Sequence, residues 1–453
     1  MGKARSIAAT MCTIGLDALS RSVIAGGFVL YEQSVKGLGN AFAGSAAVAE
    51  DATTLFFNPA GMTRLDDSEL DAAGHLIIPS LSFQDRGSHL NRAVGGAPIT
   101  ASDDGDGAHL ALIPNLYYAH SYDERLKFGA AANVPFAFLS DYEAGWQGRY
   151  HALRSDGMAI NLNASAAYRF NELLSMGVGF NAQYIDVTFS NALDFSTLCL
   201  GNPASAPACS SFGLTTPGRP ATDGHVEFSG NDWSYGYNIG LLLEPANATR
   251  IGVHYRSHIE HEVEGDADFT VPAPAFAAAT GAFQDTGASA TLNLPDSVSL
   301  SAYHQLDDRF AILGDITWTH WNRFDQVVVR FDNPRQPPVV TPQDWEDTYR
   351  YALGITYHPE GPVTLRSGVA YDETPVPNAR LRSPRIPDQD RVWLTFGASY
   401  QHSETLSIDV GYAHLFIDDA AIDNTEVNTG HVLTGEFEGE VDILGAQLVW
   451  RMR

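Results

Sequence analysis

Thr405–Phe416 reads TLSIDVGYAHLF, and its period decides the fold. Leu406, Ile408, Val410, Tyr412 and Phe416 fall on one face, while Thr405, Ser407, Asp409, Gly411 and Ala413 fall on the other. A strand turns its side chains to opposite faces at every residue, so this segment is apolar on one side and polar or small on the other. Asn161–Phe170 repeats the pattern, with Leu162, Ala164, Ala166, Tyr168 and Phe170 opposed to Asn161, Asn163, Ser165 and Arg169. Arg391–Gln401 does the same, with Val392, Leu394, Phe396, Ala398 and Tyr400 opposed to Arg391, Thr395, Gly397 and Ser399. Segments of about ten alternating residues, each flanked by turn residues, match strands that cross a bilayer with the apolar face outward.

Fourteen such segments follow one another along the chain: His75–Phe83, Ala108–Tyr122, Leu126–Leu139, Asp156–Phe170, Leu173–Ser190, Gly224–Leu243, Thr249–Phe269, Gly287–Gln305, Arg309–Phe331, Glu346–His358, Val363–Tyr371, Arg391–Gln401, Thr405–Phe416 and Glu438–Arg451. An even count lets an antiparallel barrel close with both ends on one side, and closure leaves no backbone edge unpaired in lipid. The connections alternate. Short ones such as Asp123–Arg125, Asn171–Glu172 and His402–Glu404 take turns with long ones such as Gln84–Gly107, Asn191–Asp223 and Asp372–Asp390. Short turns on one side and long loops on the other are typical of outer-membrane barrels. A soluble β-sandwich gives no reason for that alternation. The expected fold is all-β: a transmembrane antiparallel β-barrel of 14 strands. Tyr117, Tyr118, Trp318, Trp321 and Trp450 lie near strand ends, where an aromatic girdle belongs.

Composition agrees and excludes other classes. The 453 residues carry 27 Lys+Arg against 54 Asp+Glu, a net charge of −27, which is the wrong field for a nucleic-acid partner. A hydrophobic content of 44% is too high for a disordered acidic chain. Lys3 and Arg5 precede an uncharged run from Ser6 to Leu16, so residues 1–25 read as a signal peptide ending near Val23-Ile24-Ala25. Cys12 would leave with it. Cys199 and Cys209 remain in a Pro/Ser/Gly-rich loop, where a close pair in an exported chain reads as a loop-pinning disulfide.

Residues 26–74 do not alternate. Gly26–Arg64 is rich in Gly and Ala, suited to packing backbone against a barrel wall, and a barrel of this size has a lumen its own side chains cannot fill. The expected organisation is a signal peptide (1–25), an N-terminal hatch plugging the lumen (26–74) and the barrel (75–453).

Here the sequence resembles the long-chain fatty acid outer-membrane transporter family (FadL-type channels). The matching blocks are Gly37-Leu38-Gly39-Asn40-Ala41-Phe42-Ala43-Gly44, Ala49-Glu50-Asp51-Ala52 and Asn58-Pro59-Ala60-Gly61-Met62. Further matches are Trp146-Gln147-Gly148-Arg149-Tyr150-His151, Tyr371–Pro377, and Arg385-Ile386-Pro387-Asp388 with Arg391 and Trp393. The resemblance implies a bacterial outer-membrane, hatch-plugged barrel for passive uptake of long-chain fatty acids or similar hydrophobic compounds, with sideways exit into the membrane. Neutral aromatic or aliphatic hydrocarbons moving by the same route are an alternative, and an outer-membrane lipid hydrolase is another. Outer-membrane lipids are expected around a monomeric barrel.

Candidate residues follow. Asn58-Pro59-Ala60 is a turn, because Pro fixes φ and Asn-Pro initiates turns. It is either an ordinary tight turn or, as the resemblance implies, a hatch turn that moves. Asn133-Val134-Pro135 places a proline in the third segment, where it removes a ladder bond. Either Pro135 lies past the membrane, or it kinks the strand inward as a lateral gate, which the resemblance implies. Phe276 and Phe283 make an external loop apolar, a surface for first capture of ligand or a packing face held by Cys199–Cys209. Phe28, Leu30, Phe56 and Phe57 are candidates for an apolar tail. An acidic lumen needs Arg to hold a carboxylate. Arg149, Arg256 and Arg366 are the candidates, against the alternative that each pairs with a lumen acid.

No catalytic, cofactor or metal site is expected. Gly37-Leu38-Gly39 follows no strand, as a dinucleotide loop would. His254 and His258 stand ~13 Å apart at ~3.3 Å per residue, with His261 expected on the other face, so they cannot share an ion.

Overall fold

The computed structural model describes residues 27–101, 105–201, 203 and 205–452. The expected signal peptide and Cys12 lie outside the described residues. Nineteen strands are formed: β1 (Ser68–Asp85), β2 (Ala111–Ser121), β3 (Leu126–Asp141), β4 (Arg154–Arg169), β5 (Leu174–Asp194), β6 (Asp223–Ala246), β7 (Thr249–Arg256), β8 (Ile259–Thr270), β9 (Thr286–Leu294), β10 (Ser297–Gln305), β11 (Phe310–Thr319), β12 (Gln326–Phe331), β13 (Val339–Pro342), β14 (Thr348–Tyr357), β15 (Val363–Asp372), β16 (Arg391–Gln401), β17 (Leu406–Ile417), β18 (Ala420–Thr425) and β19 (Val432–Met452). They form one antiparallel sheet that closes where β1 pairs with β19, from Ser68↔Met452 to Asp85↔Gly435. β7 with β8, β9 with β10, and β11 with β12 are single crossings interrupted midway, while β13 and β18 belong to the long-loop side. The barrel thus has 14 crossings. No helix among the described residues is long and apolar enough to cross a membrane.

The alternation read from the sequence is the alternation of the wall. Ile408, Val410, Tyr412 and Phe416 are exposed on the outside, whereas Ser407, Asp409 and Ala413 are buried in the lumen. The first strand begins at Ser68 rather than His75, because Glu69, Asp71 and His75 face inward between small outward residues that conceal the period. The interruptions also went unread. The break at Ser257–His258 resets parity, so both His254 and His261 are buried inside the barrel instead of on opposite faces. Among the described residues no cluster could hold a metal ion. Tyr118 and Trp450 do face outward, but Tyr117 and Trp321 are buried and take no part in a girdle.

Candidate functional site

The lumen is filled by the N-terminal segment. Short helices at Val35–Gly39, Ser45–Val48 and Thr54–Phe57 are followed by a 3-10 turn at Pro59–Arg64. Close approach of this backbone requires notches in the wall. A Cβ on Gly240 would clash with the Asn58 amide oxygen, and one on Gly252 would clash with the Ala46 carbonyl. Asn58 is buried and ties the segment together. Its Nδ2 donates to the Ala46 carbonyl at 2.6 Å and to the Leu241 carbonyl of the wall at 2.9 Å, while its Oδ1 accepts from the Ala60 N–H at 3.0 Å. Pro59 and Ala60 then open the 3-10 turn, Pro59 sitting where an N–H would have no helical partner.

Polar side chains of the wall hold the segment from all sides. Lys36 pairs with Asp51 at 3.1 Å, and Gln447 of the wall joins the two sides of this contact by donating to Asp51 and accepting from the Val35 N–H. Arg366 pairs with Glu50 at 2.7 Å. Arg250 donates to the Ala47 carbonyl, Arg350 to the Ala41 carbonyl, and Arg256 to the Phe56 carbonyl. Arg256 also lies over the Phe56 ring, 4.2 Å from its centre.

β3 departs from the regular wall at Asn133–Phe136. Its pairing with β2 ends at Leu116↔Ala132, and its register with β4 slips between Asn133 and Phe136. Six consecutive side chains, from Asn133 to Phe138, are buried, so the outward–inward alternation is lost here. Pro135 therefore lies inside a strand and not beyond it. Residues 28–33 run along the inner side of this break as an arm. The Leu30 N–H donates to the Pro135 carbonyl at 2.9 Å, the Ala137 N–H to the Phe28 carbonyl at 3.2 Å, and Gln33 Nε2 to the Val134 carbonyl at 2.7 Å. From β2, Asn115 donates to the Glu32 carbonyl and Tyr117 to the Gln33 side chain. An amide relay braces the other side: Asn161 donates to Asn133 at 3.0 Å and to Asn181 at 3.1 Å, and Asn163 and Asn181 both donate to Asn238.

Leu30, Phe56, Phe57, Pro135 and Arg256 meet around one narrow cavity, together with Arg350 and Asp315. Phe28 lies just outside it, in an aromatic cluster with Phe136, Phe138, Trp321, Phe324 and Trp345. Arg149 is elsewhere. It is buried in the external loops, pairs with Asp223 at 3.1 Å and donates to Tyr150 and to the Thr100 and Gly218 carbonyls, which leaves it no donor for a ligand. Arg366 is likewise committed to Glu50 and Ser399. Phe276 and Phe283 pack with Phe195, Leu214 and the Cys199–Cys209 disulfide in one loop cluster. The outer end of the arm is fixed by Gly27, whose N–H donates to Asp388 at 3.1 Å. Asp388 also pairs with the buried Arg391, and burial pushes its carboxyl up to about 6 against that cation. Gln33, Asn161, Arg350 and Arg385 were not singled out from the sequence. Inward parity was the one available signal for Asn161 and Arg350, and every lumen residue of the wall shares it; Gln33 and Arg385 lie outside the strands and have no parity.

With this geometry in view, comparison with known proteins settles the family. Residues 16–452 match the family described as outer membrane protein transport protein (OMPP1/FadL/TodX). The chain belongs to this family. It is similar to the long-chain fatty acid transport protein of Escherichia coli K12, 30% identical over 418 residues that cover 89% of this chain and 90% of the relative. It is also 31% identical to outer membrane protein P1 of Haemophilus influenzae over 409 residues, 86% of each chain. Among solved structures, a Pseudomonas aeruginosa FadL homologue superimposes with a TM-score of 0.86 at 23% identity, covering 94% of this chain and 100% of that one. Both the expected family and the expected barrel are thereby established. The protein is an outer-membrane β-barrel of a transport family, and not an enzyme.

Proposed function

We propose that this protein is a passive uptake channel for hydrophobic compounds, long-chain fatty acids or related molecules. The observation that carries the reading is the conjunction, at one point of the wall, of a largely apolar cavity, a broken strand ladder and an arm that is not part of the wall. A cavity lined by Leu30, Phe56 and Phe57 suits an alkyl chain or a ring. Pro135 contributes to the same cavity and to the break in β3. The relatives lend support: curated ones are named long-chain fatty acid transport proteins, and solved neighbours are named monoaromatic hydrocarbon and toluene channels.

In this reading the loop cluster around Phe276 and Phe283 takes the compound from the outer leaflet. The compound passes to the lumen cavity as residues 28–33 leave β3, and Asn58-Pro59-Ala60 is the pivot about which the segment shifts. Exit is sideways between β2 and β3 at Asn133–Phe136, into surrounding outer-membrane lipid. Movement is down a gradient, and one barrel suffices.

The test is native mass spectrometry of lipophilic molecules co-purified with the protein, in wild type and in Thr317→Trp, which fills the cavity. Bound hydrophobic compounds in the wild type and their loss in the variant are expected. Liposome swelling with small sugars at porin-like rates, and no lipophile bound, would overturn the reading.

A further inference from the structure

Between the external loops lies a polar vestibule of about 690 Å³, bounded by Arg92, Tyr150, Arg380 and Glu426. Beneath it is a small, tightly packed apolar chamber lined by Phe28, Phe138, Phe189, Leu292 and Phe324. Ser383 and Arg385 are common to both. The chamber in turn touches the lumen cavity through Phe28 and Phe136, whose ring centres are 6.0 Å apart. Packed aromatic rings thus separate the vestibule and chamber from the cavity at the break in β3, and Arg385 stands where the lining changes from polar to apolar.

The partners of Arg385 are all neutral. Its Nη1 donates to the Arg154 carbonyl at 3.2 Å, Ser155 Oγ at 3.0 Å and the Ser190 carbonyl at 3.3 Å, and Nη2 donates to Asn191 Oδ1 at 3.4 Å. Its guanidinium lies 5.5 Å from the centre of the Phe189 ring. Among the described residues no carboxylate forms an ion pair with it, whereas Arg149, Arg154, Arg366 and Arg391 each have one. Glu426 borders the same vestibule, but its two oxygens accept from Asn428 and Thr429 in its own turn. Burial pushes the Arg385 guanidinium down to about 10, so it is still a cation at neutral pH. The backbone is held in place: the Pro384 carbonyl accepts from Tyr142 at 2.7 Å and the Arg385 carbonyl from Ser140 at 3.2 Å. A fixed cation with only weak neutral acceptors and an apolar chamber below it matches a carboxylate on a single alkyl chain.

We propose that Arg385 binds the carboxylate of a single-chain fatty acid at the junction of vestibule and apolar chamber, and so selects fatty acids over neutral hydrocarbons of equal chain length. This rests on the reading above that hydrophobic compounds pass through the barrel.

The test uses the full chain purified in detergent, with radiolabelled oleate and oleyl alcohol as probes, in wild type, Arg385→Gln and Arg385→Lys. Wild type should favour oleate. Arg385→Gln should weaken oleate about tenfold, the scale of one charge-assisted contact, and leave oleyl alcohol within about twofold. Arg385→Lys should recover part of the loss, because it restores the charge but not the fork. Unchanged oleate affinity in Arg385→Gln, or an equal fall for both probes, would overturn the assignment while leaving the uptake reading intact. A wild type that binds neither probe would overturn the uptake reading and this assignment with it.

Discussion

The wall formed by β15, β16, β17, β19 and β1 differs in kind from the wall at β2 and β3. In the first, β16 pairs with β17 from Arg391↔Ile417 to Gln401↔Ser407 and β1 with β19 over its full length, each without a slip. These two ladders run residue against residue without a break, and alternation is preserved. In the second, the β2 ladder stops at Leu116↔Ala132, and the orphaned groups of Val134, Pro135 and Ala137 are satisfied by residues 28–33 and by Gln33. Backbone polarity in lipid must be paired, and it is paired here by a segment that is not part of the wall. A ladder between strands is continuous, whereas the arm is held by two backbone bonds and a few side chains, and in the proposed function it is the part that leaves. The same need for pairing thus gives a seal in one region and, in the proposed function, a gate in the other.

Several substitutions sharpen this contrast. The largest effect is expected at the outer end of the arm. Asp388→Ala removes the acceptor of the Gly27 N–H and a partner of Arg391, whose side chain is fully buried. Breaking a buried pair costs about 3–5 kcal/mol, and Asp372, 3.7 Å from Arg391, holds the loss to the lower end. Thermal unfolding of the purified barrel measures it. Next is the hatch notch. Gly240→Ala should cost about 1–3 kcal/mol by forcing Asn58 out of place, while Gly74→Ala in the regular wall, where a Cβ meets only Leu112, should stay within about 0.5 kcal/mol. Equal costs at the two glycines would remove the distinction between plugged and plain wall. The smallest effect is expected at the amide relay, where Asn161→Ala should cost about 1 kcal/mol and increase hydrogen exchange at Val134 and Phe136.

Much of this was legible in the sequence, for a physical reason. Alternation is written residue by residue, so the outward Ile408 and Val410 and the inward Asp409 could be read directly. The interruptions at Ser257–His258 and Pro295–Asp296 were not read, because each half keeps its own period and only the joint resets it. At the candidate site, parity placed Arg256 and Arg366 in the lumen but could not name their partners. Phe56 and Glu50 are far away in sequence and reach the wall only when the hatch folds into the barrel. The partners of Arg149 could not be named for the same reason: Asp223 and Gly218 come to it from a different loop. Local periodicity records the wall, and the plug is recorded only in contacts between distant segments.

The central claim is that the arm must leave β3 for transport to occur. Val29 and Phe136 form a bridge pair, so the double variant Val29→Cys, Phe136→Cys can be closed by oxidation. Thr395 and Ala413, paired in the regular wall, give the control when both are replaced by Cys. Uptake of labelled oleate by cells carrying each variant, oxidised and then reduced, is the measurement. The account predicts that oxidation stops uptake in the arm variant, that reduction restores it, and that the wall variant is unaffected in either state. Undiminished uptake with the arm cross-linked would contradict it.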